Sequence, residues 1–168
     1  MRERELILLM GVSGSGKTTV ARKIVEERGC EYINFVTTMR TLRESGMSYP
    51  NILDYIAKRV NANTETDFVL DGYHIHRETS LKRLDKKLKH HRIKPVVVFA
   101  DPEIIADRKT ERSGREHAPE SVAAVRQVYI REFASICDMD ATMFVDTTDG
   151  MMWSSQKKMM DVMEGTKT

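Results

Sequence analysis

Cysteine is scarce in this chain. Only Cys30 and Cys137 occur among its 168 residues, in no C-x-x-C or mixed Cys/His spacing. A disulfide framework is excluded, and both side chains read as ordinary thiols of a reducing compartment. The histidines do not fill the gap, because His74 and His76 with His90 and His91 lack third and fourth ligands at zinc spacing. Charge of one sign is lacking too: 27 basic residues against 25 acidic leave a net +2, which selects no polyanionic partner. No apolar run approaches the roughly 20 residues of a membrane span, and the polar residues 1–5 lead straight into the first apolar run, leaving no room for a secretory leader. A cytoplasmic location is the expectation. Repeats and low-complexity linkers are missing as well, so residues 1–168 are expected to form a single domain with its own core.

What is present is an alternation of strand-length apolar runs with helix-length periodic segments, the pattern of a parallel sheet with helices on both faces. Five strands are predicted, at 6–10, 32–36, 68–70, 96–100 and 143–145. The first helix stops at Gly29, and Pro50 opens a second that carries Ile52, Tyr55, Ile56 and Val60. A third is predicted over 78–90. Asp101-Pro102-Glu103 combines a capping carboxylate, a proline for the first turn and an acid for the helix dipole, and Pro119 opens the next long helix.

Between the first strand and first helix lies Gly11-Val12-Ser13-Gly14-Ser15-Gly16-Lys17-Thr18, a full match to G-x-x-x-x-G-K-[ST]. Placed there, it predicts a P-loop NTPase fold. The amides of Gly11, Ser13, Gly14, Ser15, Gly16 and the first helical residues, Thr19 included, can surround a polyphosphate. Lys17 can reach the β and γ phosphates, and Thr18 can ligate Mg²⁺. ATP or GTP binding follows, and no N-K-x-D guanine-reading motif occurs.

Phosphoryl transfer needs charge neutralisation and alignment, so carboxylates at strand ends and converging arginines are the next candidates. Asp71 ends the third strand, where it can serve Mg²⁺ or orient the acceptor, and Arg77 follows within reach of an anionic acceptor. Arg108 and Arg112 share a helix face, Arg115 sits on the polar break after them, and Arg126 follows one helix later. The first three suit a flap over a triphosphate, and Arg126 is a candidate for binding the substrate. The basic stretch from Lys82 to Arg92 has no interleaved aromatics and alternates with leucines, so it reads as a solvated helix face, with nucleic-acid contact the lesser option.

The phosphate loop, Tyr32-Ile33-Asn34-Phe35, Asp71 with Arg77, the run from Ala100 to Ile105 leading into Arg108 and Arg112, and Glu120-Ser121-Val122 together resemble archaeal-type adenylate kinases over most of the chain. The resemblance implies a nucleoside-monophosphate-kinase-like fold and Mg-ATP as donor. It also implies a short lid at about 113–118 and a base-holding loop over 147–150, with Thr148 on the nucleotide. Where that family carries a Gly-Asp pair, this chain has Val36-Thr37-Thr38-Met39, and its acceptor insert, about 37–63, is shorter. Arg40, Arg43, Lys58 and Arg59 supply positive charge there, while Thr37, Thr38 and Tyr73 add hydroxyls, which together suit a compact anionic acceptor. The expected activity is transfer of the γ-phosphoryl group of ATP to such an acceptor, a nucleoside monophosphate by family default. The alternatives are a phosphorylated metabolite such as a mevalonate phosphate, or an adenylate-kinase-like ATPase of RNA or ribosome processing.

Overall fold

Strand β1 (Arg4–Met10) sends alternate side chains into two apolar layers. Leu6, Leu8 and Met10 enter one and Ile7 and Leu9 the other, all of them buried. A strand covered on both sides shows no polar alternation, so β1 reads as a continuous apolar run. The structure is a computed structural model that describes residues 3–72, 78–114, 119–133 and 142–165.

Beside β1, the strands β2 (Glu31–Asn34), β3 (Phe68–Asp71), β4 (His91–Phe99) and β5 (Met143–Asp146) pair in parallel, in the order β2-β3-β1-β4-β5. One face is covered by α1 (Lys17–Arg28), whose Val20, Ala21 and Ile24 pack on Ile7, Leu9, Val69 and Val98. The opposite layer is larger. Into it α3 (Tyr49–Asn61) sends Ile52, Ile56 and Val60, α4 (Glu78–Asp85) sends Leu81 and Leu84, and α5 (Pro102–Ser113) sends Ile105. Val125 of α6 (Pro119–Gln127), Tyr129 of its π-helical continuation (Val128–Glu132), and Met159 and Met163 of α7 (Gln156–Glu164) complete it. The predicted stop at Gly29 stands, with φ +66° and its N–H bonded to the Val25 carbonyl. So does the start at Asp101, whose side chain accepts from the Glu103 N–H at 2.9 Å ahead of Pro102.

Four local readings change. A sixth strand, β6 (Met152–Ser154), pairs antiparallel with β5 and extends the expected five-stranded parallel sheet; three residues with two exposed side chains carry no periodic signal. β2 ends at Asn34 rather than at residue 36, because the Asn34 side chain accepts the Thr37 N–H at 2.9 Å and caps α2 (Phe35–Glu44). The third predicted helix stops at Asp85, where Lys86, Lys87 and Leu88 turn their N–H groups back onto Lys82, Leu84 and Asp85. β4 begins at His91 instead of residue 96. Its first half alternates, with His91, Ile93 and Pro95 inward and Arg92 outward, so it does not read as an apolar run.

The chain leaves β1 for β2 and β3 on one side and crosses to β4 and β5 on the other. The carboxyl ends of the strands flanking β1 therefore open a crevice, the place where ligands bind in open α/β sheets.

Candidate phosphate-binding site

The phosphate loop occupies that crevice. Its turn closes through the Ser15 N–H on the Val12 carbonyl at 3.1 Å, and α1 starts from Gly16 at φ +93° with no side-chain cap and no acid in its first turn. An uncapped helix N-terminus leaves its amides and the positive end of its dipole available to an anion. Gly11 is required for a different reason: a Cβ there would meet the Val98 carbonyl oxygen at 2.4 Å and Ser15 Oγ at 2.7 Å. Beneath the loop, the buried Tyr129 hydroxyl accepts the Val12 N–H at 3.3 Å and donates to the Val98 carbonyl at 2.7 Å. Burial holds that phenol far above its ordinary pKa, so it stays neutral.

A cavity of about 240 Å³ opens over the loop, lined by Ser13, Gly14, Gly16, Lys17, Thr18, Thr19, Asn34, Val36, Asp71, Gly72 and Arg112. Lys17 folds back into it, donating to the carbonyls of Gly11 at 2.7 Å and Val12 at 2.9 Å. Burial, with Arg112 and Lys109 nearby, lowers its pKa to about 8 against the pull of Asp71. Asp71 is 2 % exposed, and its Oδ2 accepts from Thr18 Oγ1 at 2.9 Å and from Tyr32 Oη at 2.7 Å. Burial and the Asp71 carboxylate raise the Tyr32 pKa.

The set fits Mg²⁺. A hydroxyl and a carboxylate 2.9 Å apart are hard oxygen donors, and this ion is commonly held by one or two protein groups together with substrate phosphates. Among the described residues no group of three or more His, Cys, Asp or Glu could hold a metal ion by itself.

Of the remaining expected residues, Arg112 lines the cavity, whereas Arg108 braces its wall. The Arg108 guanidinium donates to the Gly14 carbonyl at 3.3 Å and to Thr147 Oγ1 at 3.0 Å. Thr147 in turn donates to the Ser15 carbonyl, so the loop after β5 is tied to the phosphate loop. Thr148 bonds Asp146 and the Asp101 N–H and lines a separate cavity with Arg126, Asp149 and Lys158. Thr37, Thr38, Arg40 and Arg43 lie on α2 outside the lining of the phosphate cavity, with Thr37, Arg40 and Arg43 exposed. Tyr73, Arg77 and Arg115 lie outside the described residues, as do Cys137, His74, His76 and the expected lid beyond Gly114. Sequence reasoning did not single out Tyr129 or give Tyr32 a role at the site. Tyr129 sits 117 residues from Val12 and Tyr32 39 from Asp71, so only the packed sheet makes them neighbours.

Residues 6–135 match the AAA domain family. No curated protein matches the chain in sequence. Among solved structures it is similar to a gluconokinase from Sinorhizobium meliloti, at 20 % identity and TM-score 0.60 over 97 % of this chain and 91 % of that one. It is also similar to a sugar kinase from a Janibacter species, at 17 % identity and TM-score 0.60 over 85 % of both chains. The YorR protein of Bacillus subtilis, solved in complex with phosphorylated GDP, matches at 21 % identity and TM-score 0.58 over 84 % of this chain and 85 % of that one. Among the described residues no helix is long and apolar enough to cross a membrane. By the match over most of its length, the chain belongs to the AAA domain family, with the α/β P-loop fold of those kinases.

Proposed function

We propose that this protein is an ATP-dependent small-molecule kinase that moves the γ-phosphoryl group to a compact anionic acceptor. One observation carries the reading: the uncapped start of α1, Lys17, Arg112 and the buried Asp71 share one cavity, with Thr18 bonded to Asp71. The amides of the loop and of α1 would grip the β phosphate. Lys17, released from the Gly11 and Val12 carbonyls, would follow the γ phosphate, and Arg112 would stabilise its equatorial oxygens from α5. Thr18 and Asp71 would hold Mg²⁺, which would supply charge neutralisation to the polyphosphate. Asp71 would also orient an attacking oxygen, with Asn34, Val36 and Gly72 forming the acceptor side of the cavity.

A gluconokinase and a sugar kinase among the similar structures support a hydroxyl acceptor on a small polar molecule. The YorR complex with phosphorylated GDP supports a nucleotide ligand, and the resemblance to archaeal-type adenylate kinases supports a nucleoside monophosphate as acceptor. The test is ADP release with purified protein, Mg-ATP and a panel of sugar acids, nucleoside monophosphates, mevalonate phosphate and RNA. Turnover with one small anion above the acceptor-free rate supports the reading, and Asp71→Asn should then lower kcat roughly 10²–10⁴-fold. Hydrolysis that RNA stimulates, with no transfer to any small molecule, refutes it.

A further inference from the structure

Asp71 is the only carboxylate lining the phosphate cavity among the described residues, and both of its described hydrogen bonds fall on one oxygen. Thr18 supplies one donor from the phosphate loop. The second comes from the neighbouring edge strand: β2 and β3 run parallel with Asn34 opposite Asp71 and Tyr32 opposite Val69. Side chains two apart on a strand share a face, so Tyr32 and Asn34 lie on the α1 side with Val69 and Asp71. There Tyr32 Oη donates to Asp71 Oδ2 at 2.7 Å while accepting from Asn34 Nδ2 at 3.3 Å. The donors run in series from Asn34 through Tyr32 to Asp71, and Asn34 is itself held by capping α2.

A carboxylate oxygen offers about two lone pairs, and on Oδ2 both are engaged by hydroxyls. Two donors on one oxygen restrain rotation of the carboxylate and occupy that atom. Metal and acceptor chemistry would therefore fall to Oδ1. We infer that Tyr32 is a positioning residue that, by engaging Asp71 Oδ2, commits Oδ1 to the divalent cation and the acceptor. This rests on the phosphotransfer reading for what Asp71 serves, and on the hydrogen bonds for how it is held. Partners that orient a metal ligand commonly matter 10–100-fold in affinity or activity.

The experiment titrates Mn²⁺ into the full chain loaded with ADP, followed by calorimetry or by the electron-spin resonance of free Mn²⁺. Tyr32→Phe keeps the ring and removes the donor. It should weaken Mn²⁺ binding about tenfold while leaving metal-free ADP affinity and the melting temperature near wild type. With an acceptor in hand, kcat should fall while KM for ATP at saturating metal holds, a split that a general packing defect would not give. Asn34→Ser preserves a cap for α2 and removes only the amide donor to Tyr32, and should give a smaller loss of about threefold. Equal Mn²⁺ affinity in wild type and Tyr32→Phe overturns the role of Tyr32 and leaves the kinase reading standing. A wild-type protein that binds ADP identically with and without Mn²⁺ overturns both.

Discussion

Lys17 should make nucleotide binding depend on pH. Its ammonium is half-buried against the carbonyls of its own loop, with Arg112 and Lys109 close by, and its pKa stands at about 8 rather than 10.5. At about 1.4 kcal/mol per pH unit, keeping it charged in the free protein costs about 3 kcal/mol. The sign follows from proton counts. Between the folded and unfolded values the unfolded chain binds more protons, so the free protein gains stability as pH rises from about 8 toward 10.5. Bound phosphates would reverse the environment by placing anionic charge beside Nζ, so nucleotide binding above pH 8 should draw in a proton. At about pH 9 some nine-tenths of Lys17 is neutral in the free protein, and affinity for Mg-ADP should be roughly tenfold weaker than near pH 7.5. Calorimetry in two buffers of unlike ionisation enthalpy reads the uptake directly, with close to one proton at about pH 9 and a small fraction at about pH 7.5. Lys17→Met should bind weakly at every pH with that uptake abolished. Wild-type binding that takes up no proton at pH 9 and keeps the same affinity would refute the argument.

The remaining expectations concern the floor of the site. Gly11→Ala forces a Cβ to within 2.4 Å of the Val98 backbone oxygen, so loop or strand must shift. Thermal unfolding should show a loss of about 2 kcal/mol or more with nucleotide binding abolished, and a variant that melts and binds like wild type would contradict the close approach. Tyr129→Phe leaves the Val12 N–H and the Val98 carbonyl without their shared hydroxyl. Denaturant titration should register a loss of about 1–3 kcal/mol, with ADP affinity falling alongside.

Much of the site is legible because its parts are contiguous. An eight-residue loop, a capping aspartate with its proline, and a carboxylate ending an apolar run each carry their chemistry in adjacent residues. The errors of placement came where local signals competed. Asn34 ends a strand by capping a helix, and the first half of β4 is half-exposed and so breaks the apolar run. Helix spacing put Arg108 and Arg112 on one face, but nothing local shows that the Gly14 carbonyl and Thr147 take hydrogen bonds from Arg108.

By itself, the sequence determined that a nest of glycine-rich backbone would precede a helix and hold a polyphosphate, since those conformations depend on residues a few positions apart. Tertiary structure decided what props and aims that nest. The Tyr129 hydroxyl under Val12, the Thr147 tie to Ser15 across 132 residues, and the Tyr32 bond to Asp71 exist only where the sheet and the helix and loops packed on it set distant residues side by side. Hydrogen bonds of that kind depend on register across the sheet, which the spacing of residues along one chain does not encode.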